Sequence, residues 1–413
     1  MTRAETFVLQ LTTMAHGGRA LGRRQGQVVF VPYAIPGETV EVEIVESGRH
    51  WAQARLLKVL EPSPHRVAPP CPYFGPEGCG GCQFQHIVYQ AQVEFKRQVV
   101  QDQLARIGGL REAQVEEPIG AAEPWGYRNH AQFRITPEGR LGFLAANSHD
   151  LIPVQECLIL DPLLDELWAA LDIIWPQLHR VSLRCGSATG DLMVVFELDR
   201  YEDFDIEVDL PVSCVLLLAD GEPVVLIGNS YLTEHVAGRD YRVSAGSFFQ
   251  VNTAGAEALV ALVREYLAPN KEETLVDLYC GVGLFGLALA RDVARVVGIE
   301  ADPSAAADFR VNAREFDHVE LLEERAETAL RYVEGTVDLV VLDPPRSGAG
   351  PAVIGEIARL SPRRVVYVSC DPATLARDAR HLVRSGYQLR QVQPVDLFPQ
   401  TYHIESVALF VRE

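Results

Sequence analysis

From Ser247 to the end, the chain repeats one unit: a short apolar run that stops on a small, acidic or reactive residue, followed by a helical stretch. TLVDLYC, VVGIE, DLVVLDPP and RVVYVSC are the runs, and FGLALARDVA and SAAADFRVNAREF lie between them. Such runs, alternating with helices, specify a parallel, doubly wound sheet covered on both faces. A sheet of that kind binds its ligand at the carboxyl ends of its strands. This part is therefore α/β, and the residues that end each run become site candidates.

The preceding half is built differently. Phe7–Leu11, Gln27–Val31, Glu38–Val45 and Ala52–Leu60 are short β-rich segments, and TVEVEIVE alternates apolar with acidic residues. That period belongs to a half-buried strand, and several short strands with GG and PG turns favour an OB-like barrel over another small β-domain. EPSPHRVAPP (61–70) is an extended linker, since proline continues neither a helix nor a central strand. Apolar residues at 93, 95, 99, 100, 104 and 107 predict an amphipathic helix stopped by Gly108 and Gly109. Residues 125–235 mix strands (HAQFRIT, DLMVVFEL, CVLLLA, VVLIG) with one helix near DPLLDELWAALDIIW, an α+β pattern.

Composition narrows the function classes. At 413 residues and roughly 150 per domain, two or three domains fit. No run reaches the roughly 18 apolar residues of a membrane span, and the start lacks a signal peptide's apolar core, so a cytoplasmic protein is expected. The net charge of −19 opposes phosphate binding at first sight. It is uneven, however: residues 1–157 carry net −1 and the remainder −18. A mildly basic N-terminal module is compatible with RNA.

Eight cysteines in a reducing compartment point to metal or catalysis rather than bridges. Cys71, Cys79 and Cys82 lie within a dozen residues, and Cys157 can complete a set of four. Four thiolates suit a tetrahedral zinc or a cubane iron–sulfur cluster; a distant fourth ligand leans towards the cluster, and spacing alone does not choose.

The strand ends carry the remaining motifs. Gly281-Val282-Gly283-Leu284-Phe285-Gly286 is a GxGxxG turn, with Glu300 ending the next strand where a ribose diol would meet it. NAD and S-adenosylmethionine both use such a turn; Asp277 and the Asp343-Pro344-Pro345-Arg346 loop move the balance to S-adenosylmethionine. Cys370 ends RVVYVSC just before a helix, a place where a thiol pKa is expected to fall. Glu405, entering a buried C-terminal strand, is costly unless paired or used, which makes it a candidate general base.

Taken together, SFFQVN (247–252), DLYCGVGLFG (277–286), GIE (298–300), DPPR (343–346), VSCDPATLARD (368–378) and HIESVALF (403–410) resemble the RNA (uracil-5-)-methyltransferase family. With CGGC and the β-rich start, the likeness is to its bacterial 23S ribosomal RNA branch, which has a TRAM domain and a [4Fe–4S] cluster. The resemblance implies a TRAM-like barrel over 1–60, a central α+β iron–sulfur domain over 61–245, and a Rossmann-like class I methyltransferase domain over 246–413. It also implies that residues 86–110 pack on the catalytic domain. Cys370 is then the nucleophile and Glu405 the base. Gln250, Tyr279, Glu300 and Asp343 match the S-adenosylmethionine contacts, and Cys71, Cys79, Cys82 and Cys157 the cluster ligands. The first cysteine gap is seven residues where five is usual, and Tyr279 stands where phenylalanine is common.

The expected reaction is methylation of uridine C5 in RNA through a Cys–C6 adduct. 23S ribosomal RNA is the favoured partner and transfer RNA the second; no membrane and no obligate protein partner are implied. The rivals are a nicotinamide oxidoreductase using the same glycine turn, and a non-catalytic iron–sulfur protein that binds RNA.

Overall fold

A computed structural model describes residues 5–412 apart from 137, 138, 147, 172, 174, 176, 177, 200–205 and 219–222. The first five strands, β1 (Thr6–Met14), β2 (Ala20–Arg24), β3 (Gln27–Val31), β4 (Thr39–Ser47) and β5 (Trp51–Glu61), close into a barrel in the order β1-β2-β3-β5-β4. Alternation sets its inside: Val40 and Val42 are sealed with Leu9, Leu11, Val29, Val31, Ala52 and Ala54, while Glu41 and Glu43 point outward. Sequence reading missed β2, because Gly22 interrupts its apolar run. A side chain there would meet the carbonyl of Gln10 at 2.3 Å, so only glycine lets β1 and β2 approach.

The expected amphipathic helix is α1 (Tyr89–Gln103), continued by a π-turn over Leu104–Gly108 and ended by Gly109 at φ 71°. Its apolar stripe of Phe95, Val99, Val100 and Leu104 shares a buried cluster with Met14 of the barrel and with the C-terminal half of the chain. The central sheet has the order β12-β11-β10-β9-β6-β7-β8. Its strands are β6 (His130–Ile135), β7 (Leu141–Leu144), β8 (Leu151–Pro153), β9 (Arg180–Cys185), β10 (Leu192–Leu198), β11 (Ser213–Leu218) and β12 (Pro223–Ile227). Helix α2 (Pro162–Ala169) packs Leu164 and Leu167 on Phe133 and Val181; residues 172 and 174 of the expected helix lie outside the described set. A hairpin, β13 (Tyr231–Val236) and β14 (Arg239–Ser244), buries Leu232, Val236, Tyr241 and Val243 in one cluster with Leu259 and Val263 of α3 (Thr253–Leu267).

The C-terminal sheet is the predicted α/β unit. Its strands are β15 (Thr274–Leu278), β16 (Arg295–Glu300), β17 (Val319–Glu323), β18 (Leu339–Leu342), β19 (Arg364–Ser369), β20 (Gln388–Val395) and β21 (Glu405–Val411), in the order β17-β16-β15-β18-β19-β21-β20. Helices α4 (Leu284–Leu289), α5 (Pro303–Asn312), α6 (Ala326–Ala329), α7 (Gly350–Leu360) and α8 (Pro372–Arg384) cover it. Only β21 runs against its neighbours. The order reverses between β15 and β18, which opens a crevice at the strand ends there. No helix among the described residues is long and apolar enough to cross a membrane.

Candidate active site

Because β21 is antiparallel, its first residue sits at the carboxyl ends of the parallel strands. Ser406 pairs with Ser369, so Glu405 faces the end of β19, where Cys370 follows. One reversed strand thus brings together two residues 35 positions apart in the sequence. Glu405 is 2 % exposed and its Oε1 has no hydrogen-bond partner. Burial, and then the Asp343 carboxylate, push its pKa well above the ordinary range.

Cys370 is half-buried and lines a cavity of about 190 Å³ with Arg346, Asp371, Tyr402, His403, Ile404 and, from the barrel, His16 and Gly17. The expected fall in its thiol pKa is not what the structure contains. Burial raises it to about 12, with Glu405, Asp343 and Asp371 adding to the rise and Arg346 opposing it. The helix terminus that should have lowered it is already neutralised: Asp371 caps α8, its Oδ1 accepting from the amides of Ala373 and Thr374, both at 2.9 Å.

Across the crevice the glycine turn is tied from both sides. Tyr279 adopts φ 60° and is half-buried, Gly281 and Gly283 follow at 55° and 102°, and Cys280, between Tyr279 and Gly281, is buried. Glu300 Oε2 accepts from the Gly281 amide at 2.9 Å, while Oε1 accepts from Ala301 and Asp302 at 2.7 and 2.8 Å. A carboxylate offers about four acceptor positions, so one is left for a hydroxyl. Asp277 is sealed, its Oδ2 accepting from Gly286 at 2.7 Å and its Oδ1 unpaired. Its pKa is pushed up to about 8, chiefly by burial. Gln250 donates to Asp343 Oδ2 at 3.2 Å, and burial lifts Asp343 to about 7. This cluster of carboxyls, short of positive charge, with a free acceptor on Glu300, fits a cationic cofactor that carries a ribose.

The four cysteines converge from two segments. Cys71, Cys79, Cys82 and Cys157 all line a second cavity, of about 290 Å³. The loop is held open by backbone bonds from Cys79 to Tyr73 (2.8 Å) and from Gly80 to Leu144 (2.9 Å). Cys82 and Cys157 are both pushed up to about 12, mainly by burial. Among the described residues no three His, Cys, Asp or Glu side chains sit closely enough to hold a single metal ion.

Sequence reading missed the barrel's part in the site. His16 Nε2 lies 3.5 Å from Asp371 Oδ2, and at Gly18 a Cβ would stand 2.6 Å from that of Tyr402. MAHGG reads locally as a hairpin turn, and nothing in it signals a strand tip about 350 residues away. A third cavity, about 850 Å³, shares Gly17 and Tyr402 with the first. Its wall carries Arg19, Arg55, Arg134 and Arg180.

Comparison with known proteins agrees with this assembly. Residues 217–413 match the tRNA (uracil-5-)-methyltransferase family and residues 5–57 the TRAM domain. An uncharacterized RNA methyltransferase of Thermosynechococcus vestitus is 38% identical, covering 98% of this chain and 97% of its own. Another, of Streptomyces avermitilis, is 36% identical over 98% of each. The crystal structure of the Pyrococcus abyssi tRNA (uracil-54, C5)-methyltransferase with S-adenosyl-L-homocysteine superposes with a TM-score of 0.76 at 26% identity, covering 98% of this chain and all of that one. Barrel, strand order and near full-length similarity coincide, and on them this chain belongs to the tRNA (uracil-5-)-methyltransferase family, as an S-adenosylmethionine-dependent RNA (uracil-5-)-methyltransferase.

Proposed function

We propose that the enzyme methylates C5 of a uridine in 23S ribosomal RNA, with Cys370 as nucleophile and Glu405 as base. The observation that carries the reading is the facing of Cys370 and Glu405 across β19 and β21. S-adenosylmethionine supplies the methyl group as a sulfonium electrophile, and Gln250, Tyr279, Glu300 and Asp343 are the residues to hold it. Uracil C5 is too weak a nucleophile unaided. Once the thiol proton has passed to solvent, addition of the Cys370 thiolate to C6 gives C5 carbanion character, the state in which it accepts a methyl group. Glu405 then takes the C5 proton, and the electron pair left at C5 expels the cysteine as the C6–S bond breaks. The target base must leave its stack to reach Cys370.

The arginine-bearing cavity beside the site supports RNA as the partner, since phosphate contacts come chiefly from such side chains. The choice of ribosomal RNA rests on the whole-chain resemblance to that branch. A transfer RNA T-loop uridine is the second reading, favoured by the similarity to the Pyrococcus abyssi tRNA (uracil-54, C5)-methyltransferase. We assign a [4Fe–4S] cluster to the four cysteines. Four cysteines lining one cavity of about 290 Å³ fit the four-thiolate demand of a cubane cluster. Thiols without bridges suit a cytoplasmic setting.

The test is tritium release from RNA labelled at uracil C5, with unmodified ribosomal and transfer RNA assayed apart. Cofactor-dependent release from ribosomal RNA alone is expected. Release from transfer RNA alone would move the target, and release that persists in Cys370→Ala would remove the nucleophile.

A further inference from the structure

Residues 396–404, between β20 and β21, form no helix or strand, yet they fix where β21 begins and so where the Glu405 carboxyl lies. The bonds that hold this segment come largely from far back in the chain. Gln400 adopts φ 67°, a left-handed backbone that a glutamine keeps only when its surroundings over-determine it. Its carbonyl accepts from the amides of Gln83 (3.0 Å) and Phe84 (2.9 Å). Its own amide donates to Gln92 Oε1 at 3.0 Å, and its side-chain Oε1 accepts from Gln92 Nε2 at 2.9 Å. Both glutamines are buried, at 1% and 3% exposure. Gln92 Nε2 also lies within reach of the carbonyls of Phe84 (3.2 Å) and Ile87 (2.9 Å), so one amide joins three segments. Beside it, Tyr127 donates to the Pro399 carbonyl and Lys96 to that of Phe398, both at 3.0 Å. Gln83 is the residue next to Cys82.

We infer that the stretch from Cys82 to Lys96 is the scaffold of the base loop: Gln92, paired with Gln400, is a positioning residue for Glu405, and the seating of the cysteine loop reaches the active site through Gln83 and Phe84. In dry surroundings a lost amide leaves its partners' polar atoms unpaired, so the loop shifts to satisfy them. Proton removal needs a base within hydrogen-bond reach, and a displacement of about 1 Å costs about a hundredfold in rate.

The inference rests on Glu405 being the base. Gln92→Ala and Gln400→Asn are made in the full chain; asparagine tolerates the left-handed backbone and keeps its backbone amide bond to Gln92, but its side chain is too short to reach Gln92 Nε2, so it decides should the alanine variant not fold. Turnover, S-adenosylmethionine affinity and protein–RNA adduct on denaturing gels are measured beside Glu405→Gln. Expected are a kcat reduced about a hundredfold, cofactor affinity within about twofold of the parent as for an intact cofactor crevice, and a trapped adduct as in Glu405→Gln. Parental turnover in a folded variant overturns the inference. So does slow turnover without adduct where Glu405→Gln accumulates one. No adduct in Glu405→Gln itself overturns the base assignment, and this inference with it.

Discussion

Asp343, Glu405 and Asp277 share one problem, negative charge with too little water, and it has a measurable consequence. Each is raised above the roughly 4 of a free carboxyl, Asp343 to about 7 and Asp277 to about 8. A raised acid is protonated in the fold while the unfolded chain has already ionised. Its contribution is therefore full at low pH and lost as pH climbs through the folded value. The cofactor-free protein should lose urea resistance between pH 5 and about 8, and no change over that span would contradict these shifts. A sulfonium placed among the carboxyls favours their ionised forms, so its binding should release protons. S-adenosylmethionine affinity is expected to rise from about pH 6 to 8, more steeply than that of uncharged-sulfur S-adenosylhomocysteine, as titration calorimetry would measure. Lys96 and Asp396 make a second test. The pair is 2.6 Å apart with side chains 3% and 1% exposed, and Asp396 Oδ2 has no partner. Lys96→Met should cost about 3–5 kcal/mol by denaturant melting, and Lys96→Met with Asp396→Leu should recover most of it.

At the scale of elements, the C-terminal sheet was the most legible part. Its runs end on the residues that the crevice collects, because strand tips in a parallel sheet all face one way. The glycine turn alone left nicotinamide and S-adenosylmethionine open. What the sequence concealed is the order, in which antiparallel β21 slips between β19 and β20, where the common dinucleotide-binding order is parallel throughout. Strand order is a long-range property with no local signature, and the same holds for His16. The thiol of Cys370 was misread for a local reason: Asp371 was visible in the sequence, but its capping geometry and the nearness of Glu405 and Asp343 were not. Element contacts also give a prediction for the cysteine site. If the four cysteines hold the proposed cluster, removing it with a chelator should speed hydrogen exchange at the amides of Gln83 and Phe84, which bond Gln400, while β15 to β19 stay protected. Unchanged exchange there would mean that the loop seats itself without metal.

The whole molecule sets a groove with four arginines in a chain of net charge −19. Arg55 and Arg180 face Glu43 and Glu197, whereas Arg19 and Arg134 have no carboxylate partner among the described residues. Composition could not reveal this, since summed charge hides where the positive residues gather. Arg134→Ala should weaken RNA binding and flatten the slope of log affinity against log salt by about 0.7–0.9, the value for one lost phosphate contact. An unchanged slope would place Arg134 off the RNA path.

The barrel turn that reaches Asp371 has a consequence for loyalty to substrate. His16 and Gly17 close one side of the cavity that holds Cys370, and Gly18 leaves no room for a side chain against Tyr402. Cys370, the proposed nucleophile, therefore sits in a cavity that the N-terminal barrel helps to close. A free nucleoside, small enough to enter but too small to engage the barrel, would meet an acidic, weakly nucleophilic thiol pocket with nothing to hold it there. On the proposed reading, an oligonucleotide long enough to touch both modules would be held over Cys370, and a shorter one would lack the hold of the barrel. Chain length of the substrate, as much as its base, would act as the password.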